Sequence, residues 1–169
     1  MDINNVEIRK LSYGGLDQLT MTFGSEFNRT HQDDLIDQEQ GLISFYVAWL
    51  ENNPIGHGLV NWSGAREPEI ANMYPGCPEI YRLSVLQEFQ SRGVGTRLLQ
   101  ACEQEAINRK LPLIGIGVGH NNPRALALYK RLGFKQSTID NCIFRYRRQL
   151  GTGEVMSVEE AGTWMIKTL

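Results

Sequence analysis

Residues 78–106 read PEIYRLSVLQEFQSRGVGTRLLQACEQEA, and the rest of the chain is organised around them. Ile80–Leu86 has the make-up of a strand; a short polar connection, a glycine turn and an amphipathic helix follow. Gln90-Ser91-Arg92-Gly93-Val94-Gly95 falls where strand gives way to helix. Glycine presents no Cβ, so a ligand can come close to the backbone there. The helix start adds free N–H groups and the positive end of the helix dipole. Strand, glycine turn and helix N-terminus in this order predict a cradle for phosphate, although a mere connecting turn would read the same over six residues.

A second block lies downstream: HNNPRALALYKRLGF, residues 120–134. Asn122 suits an N-cap, and Pro123 stands at the first helical position, where its missing N–H costs nothing. Ala125, Leu128, Tyr129 and Leu132 form a helical stripe, and Gly133 fits the left-handed residue that ends a helix. Taken singly, Asn122 is a plain cap and Tyr129 a core aromatic.

Together the two blocks resemble the signature of the GCN5-related N-acetyltransferase (GNAT) superfamily. The first is Gln/Arg-x-x-Gly-x-Gly/Ala after a Leu-x-Val strand; the second is Asn-x-x-Ala-x-x-x-Tyr followed by Gly-Phe, here Asn122, Ala125, Tyr129, Gly133 and Phe134 in the right order. The resemblance covers most of the chain. It implies an α+β (mixed α/β) fold with a central mixed, mostly antiparallel sheet flanked by helices, in a single N-acetyltransferase domain spanning 1–169. It implies acetyl-CoA as co-substrate, with no metal. Gln90, Ser91, Arg92, Gly93, Val94, Gly95 and Thr96 would hold its pyrophosphate, Asn122 its pantetheine arm, and Leu83, Ser84 and Val85 would line the central strand with an oxyanion-binding amide. Tyr129 would reach the coenzyme sulfur as general acid. A phenol near ~10 and a thiol near ~8.5 make that proton transfer only mildly uphill. Glu79, at the head of the same strand, would be the base, unless the amine arrives neutral. The implied reaction is direct attack of a primary amine, of a small molecule or peptide, on the thioester in a ternary complex.

Composition bounds the alternatives. At 169 residues, 41% hydrophobic and 21% charged, the chain suits one globular domain. A net charge of −2 gives no basic surplus for nucleic acid, and the Arg145-Tyr146-Arg147-Arg148 cluster reads as a solvated strand face. No stretch predicts a membrane span or a secretory leader. Cys77, Cys102 and Cys142 are scattered, as reduced thiols of a cytoplasmic protein would be. A homodimer stays open. So does a coenzyme-binding sensor without catalysis. A dinucleotide enzyme is disfavoured, because Leu98 stands where a third glycine belongs.

The remaining chain supplies expected elements. Val6–Leu11 reads as a strand, and Leu16–Phe27 as a helix after the break at Gly14-Gly15. Ile43–Leu50 and Ile55–Trp62 form a hairpin across Glu51-Asn52-Asn53-Pro54. His57 in that hairpin is a packed side chain or a base. Ser63–Cys77 reads as a loop, whose Glu67, Glu69, Met73 and Tyr74 are candidate acceptor contacts. Residues 30–40 are a short helix or ordered loop. Their Asp33, Asp34, Asp37 and Glu39, with Glu26, are either a solvated face or a mouth that attracts a cationic amine. Leu113–Val118 is a strand whose glycines at 115, 117 and 119 leave one face bare, for close packing or a cleft. Asp140–Gln149 and Trp164–Lys167 are the final strands, joined through Gly151-Thr152-Gly153.

Overall fold

The computed structural model describes residues 5–24, 28–139, 141–149 and 154–169. Among them the chain runs β1 (Glu7–Lys10), α1 (Tyr13–Phe23), α2 (Asn28–Glu39), β2 (Ile43–Leu50), β3 (Asn53–Asn61), α3 (Pro68–Met73) and β4 (Glu79–Val85). It continues with α4 (Val94–Asn108), β5 (Leu113–Gly119), α5 (Pro123–Arg131), β6 (Lys135–Gln136), β7 (Cys142–Gln149) and β8 (Val155–Thr168). Two compact units result, Met1–Trp62 with Ile80–Glu105 and Ser63–Glu79 with Ala106–Leu169.

In the first unit β1, β2, β3 and β4 are successive neighbours. The pairs β1–β2 and β2–β3 are antiparallel, with a register shift between Ala48 and Trp49. Glu51 and Asn52 turn the hairpin with φ of 49° and 66°; two successive left-handed residues match the twist of the strands they join. Because β2 is apolar almost throughout, it is buried on both faces. Phe45, Val47 and Trp49 pack with Leu16 and Leu19 of α1 and Leu35 of α2. Ala48 and Leu50 pack with Val94 and Leu98 of α4 on the other face. There, too, the Glu105 carboxylate accepts from Ser44 Oγ at 2.9 Å and from the Tyr46 hydroxyl, and pairs with Lys10 Nζ at 3.0 Å.

In the second unit β8 is the common partner. Its first half pairs antiparallel with β7 (Gln149↔Val155 to Cys142↔Gly162) and its second half with β5 (Gly119↔Gly162 to Leu113↔Thr168), while Lys135 of β6 pairs with Ile166. Cys77, Cys142, Ile70 and Trp164 form the core. The bare face expected on β5 is filled by rings: a Cβ on Gly115 would fall inside the Trp164 indole, and one on Gly117 would lie 2.7 Å from Phe144. Close packing is the outcome, supplied by strand side chains and not by a docked helix.

The fold class is the expected one, α+β with mostly antiparallel strands flanked by helices. Three local expectations are corrected. Helix α1 begins at Tyr13, because Gly14 and Gly15 lie within its first turn; a Cβ on Gly15 would meet the Trp49 ring at 2.9 Å. The expected loop 63–77 contains α3, started by Pro68. The last strand reaches from Val155 to Thr168, far beyond Trp164–Lys167. Of the two readings of the acidic segment, the helix is the one found, as α2. Glu26, Asp140 and the Gly151-Thr152-Gly153 connection lie outside the described residues. The three cysteines are buried free thiols, and burial pushes Cys77 up to about 11. No helix among the described residues is long and apolar enough to cross a membrane.

Candidate active site

The first signature block belongs to the first unit. After β4, Gln87–Phe89 make one turn of 3-10 helix, and Gln90 Nε2 donates to the Val85 carbonyl at 2.9 Å, tying the turn back to its strand. Ser91 and Gly93 then take φ of 60° and 88°. The first bond inside α4 is Arg97 N–H to the Gly93 carbonyl at 3.0 Å, so the amides of Val94, Gly95 and Thr96 precede it, at the positive end of the helix. Among the described residues, no atom beyond its own chain neighbours lies within 4 Å of where a Cβ of Gly93 would stand. Glycine is therefore required here by its left-handed φ, and the space it leaves is open. An open, amide-lined turn fits an anionic phosphate.

Upstream, Arg82 has a φ of 50° within β4. Leu83 and Val85 beyond it are half-buried and Ser84 is exposed. Both Gly56 and Gly58 of β3 make room: a Cβ on Gly56 would stand 3.0 Å from the Ser84 carbonyl oxygen, and one on Gly58 would stand 3.0 Å from Leu83 Cδ1.

The second block belongs to the second unit. Asn122 caps α5 as expected, its Oδ1 accepting from Ala125 N at 3.0 Å, with Pro123 next. Gly133 has a φ of 91°. Its N–H bonds the Lys130 carbonyl at 3.1 Å and that of Phe134 the Tyr129 carbonyl at 3.0 Å, the paired bonds of a Schellman C-terminus. The apolar contact that accompanies this motif is Tyr129 against Phe134, ring centroids 6.1 Å apart. Gly133 and Phe134 thus lock the end of the helix that carries Tyr129. Tyr129 is only 6% exposed, and burial pushes its phenol up to about 12. That widens the gap to a free thiol at ~8.5 beyond what the sequence suggested.

Glu79, also of the second unit, is 3% exposed. Its Oε2 accepts from the Arg66 backbone N–H at 2.8 Å and from Arg66 Nε at 3.0 Å, and its Oε1 accepts from Arg66 Nη2 at 3.1 Å. The carboxylate chosen as base is occupied by an arginine, a partner too distant in sequence for local pattern to show.

Several of the other candidates are paired or packed, and the rest are exposed. Glu67 accepts from Arg145 N at 2.7 Å and Nη1 at 3.0 Å, and Arg145 Nε reaches Glu159 at 3.1 Å. Tyr74 shares a hydrogen bond with Thr138 at 3.1 Å, whereas Met73 is exposed. Asp34 is turned inward and paired with Arg82, Nη2 to Oδ2 at 2.7 Å, so it cannot serve a cation-attracting mouth; Asp33 and Glu39 are exposed. His57 is buried, its ring 4.7 Å from Phe23 in a T-shaped contact. Burial and the nearby Arg82 push it down to about 3, and His31 to about 4. The Asp34–Arg82–His57 cluster is the feature that sequence reading missed.

The first block thus forms a left-handed glycine turn that opens a helix, and the second a capped helix ending in Gly-Phe. The profile of the acetyltransferase (GNAT) family matches residues 14–134, and the chain belongs to that family. It is 31% identical over 98 residues to an uncharacterized N-acetyltransferase of Methanocaldococcus jannaschii, a match covering 56% of this chain and 40% of that protein's length. Two solved structures share the fold. One is the PaiA N-acetyltransferase of Thermoplasma acidophilum in complex with coenzyme A (TM-score 0.68, 19% identity, 97% and 99% of the two chains). The other is a GNAT family acetyltransferase of Elizabethkingia anophelis with acetyl-CoA bound (TM-score 0.62, 21% identity, 98% and 99%).

Proposed function

We propose that this protein is an acetyl-CoA-dependent N-acetyltransferase that moves an acetyl group to the primary amine of a small molecule or peptide by direct attack in a ternary complex. The observation that carries the reading is the turn 91–96, with its left-handed Gly93, the open space over it and the first amides of α4. Acetyl-CoA supplies the activated thioester. The amides of Arg92 through Thr96 hold its pyrophosphate, with Gln90 and Ser91 shaping the turn. A backbone N–H among Leu83, Ser84 and Val85 stabilises charge developing on the acyl oxygen. Asn122, besides capping α5, hydrogen-bonds the pantetheine arm. Tyr129 protonates the departing thiolate; its raised phenol stays protonated at every working pH, and burial raises the pKa of a thiol as well. Glu79, its carboxylate held by Arg66 at the head of β4, takes the proton of the attacking amine directly or through water; an amine that arrives neutral gives that proton to solvent instead.

The test is thiol release from acetyl-CoA across a panel of primary amines, with Tyr129→Phe beside the parent. Removing the hydroxyl while keeping the ring should lower kcat by roughly 10²–10⁴-fold, the worth of a positioned acid, with the KM for acetyl-CoA little changed. Equal kcat in the two proteins would return Tyr129 to a purely packing role.

A further inference from the structure

Arg82 has a φ of 50° inside a strand, in the left-handed region. A long side chain in the left-handed region is strained, and such a residue persists only where its surroundings over-determine it. Two sets of contacts do so here. Asp34 of α2, 8% exposed, receives the guanidinium in a fork, Nη2 to Oδ2 at 2.7 Å and Nη1 to Oδ1 at 3.2 Å, the geometry in which arginine is held most rigidly. The imidazole of His57 of β3, 7% exposed, is packed beside the Arg82 backbone, and its enclosed Nδ1 has no hydrogen-bond partner among the described residues. Phe23, Phe45 and His31 pack around the imidazole, with ring centroids at 4.7, 5.8 and 6.4 Å.

We propose that Asp34 and His57 are positioning residues: the Asp34 fork holds the kink at Arg82 by its side chain, His57 packs beside its backbone, and together they aim the Leu83–Val85 amides at the acyl oxygen of the thioester. The kink ends where those amides begin, so a change in ψ at Arg82 swings the Leu83 N–H directly. A misplacement of about 1 Å in such a donor can cost on the order of 10²-fold in rate. The latch lies apart from the turn 90–96, which makes its effect separable from coenzyme binding. This inference rests on the acetyltransferase reading.

The experiment uses the full chain. Asp34→Asn keeps the shape and removes the charge; it should lower kcat by roughly 10- to 100-fold while the KM and the calorimetric Kd for acetyl-CoA stay within about twofold. Asp34→Glu, which restores the charge, should recover part of the loss. The discriminating variant combines Asp34→Asn with Arg82→Gly. Glycine takes positive φ without strain, so the kink no longer needs its latch, and kcat should rise above that of Asp34→Asn alone. Hydrogen–deuterium exchange over peptides spanning 79–86 reads the latch without turnover: Asp34→Asn should accelerate it, and α4 peptides should be unchanged. Unchanged exchange, unchanged kcat, or a double variant no better than the single one overturns the latch. A parent with no turnover on any amine but with accelerated exchange in Asp34→Asn overturns the acetyltransferase reading and leaves the latch standing.

Discussion

Strands β3 and β5 both carry glycine at alternate positions, one in each unit, and the two use it for different ends. On β5 the side chains missing at Gly115 and Gly117 are replaced by the Trp164 and Phe144 rings, and the result there is close apolar packing. On β3, Gly56 and Gly58 make way for the backbone and side chains of Ser84 and Leu83, while His57 between them is buried on the opposite side against Phe23 and Arg82. The same pattern thus marks close approach in both places, and what approaches decides its meaning. Rings filling a face stabilise; a neighbouring backbone that must pass in one strained conformation serves a site.

The comparison breaks most easily at Gly115. Any Cβ there enters the indole of Trp164, which is wholly buried and cannot turn aside. Gly115→Ala should cost about 3 kcal/mol or more, the upper end for overpacking, seen as a lowered denaturation midpoint. At Gly56 a Cβ would be 3.0 Å from Ser84 O and 3.2 and 3.3 Å from Val85 and Leu98 side chains, contacts that need a shift of only tenths of an ångström. Gly56→Ala should therefore cost about 1 kcal/mol in stability but disproportionately more in kcat, since it presses on β4. Equal losses of stability at the two positions would erase the distinction.

Acid sharpens it next. His57 and His31 are held near 3 and 4, against 6.5 for an ordinary imidazole. Below pH 6.5 the unfolded chain binds protons on both and the folded chain does not, so stability falls as pH drops from about 6.5 toward 4. The loss should be roughly 3 kcal/mol per histidine by pH 4. Above 6.5 both states are neutral and neither histidine contributes a slope. The measurement is the denaturant midpoint between pH 7 and 4, in the parent and in His57→Phe, which should flatten the curve by about half. A parent curve level over that range would contradict the burial of an uncharged pair. The rings over β5 contain nothing that titrates here.

These differences also explain what could be read from the sequence. The β2–β3 hairpin, the capped helix α5 and its left-handed Gly133 were legible because each rests on neighbours a few residues apart: a turn pair, an N-cap with its proline, a C-terminal glycine. The extent of β8 was not, because its first half, VMSVEEAG, shows no regular alternation and is held by ladder bonds to β7. Gly14-Gly15 read as a break because Trp49, the reason for a bare backbone inside α1, is 34 residues away. The candidate site divides the same way. Gly93 and Asn122 act locally, and their conformations were legible; Glu79 and Asp34 looked available because nothing local shows that Arg66 and Arg82 occupy them. Arginine pairs closed across the fold leave no period in the chain.

The central claim is that the turn at Gly93 exists to hold acetyl-CoA, and titration calorimetry of acetyl-CoA into the parent and into Gly93→Val tests it most directly. Valine is strained at a φ of 88°, and its side chain would stand in the open space over the amides. The parent should bind saturably, and Gly93→Val should bind at least about tenfold more weakly with a far-ultraviolet circular dichroism spectrum like the parent's. No heat of binding in the parent, or equal affinity in the folded variant, would contradict the account.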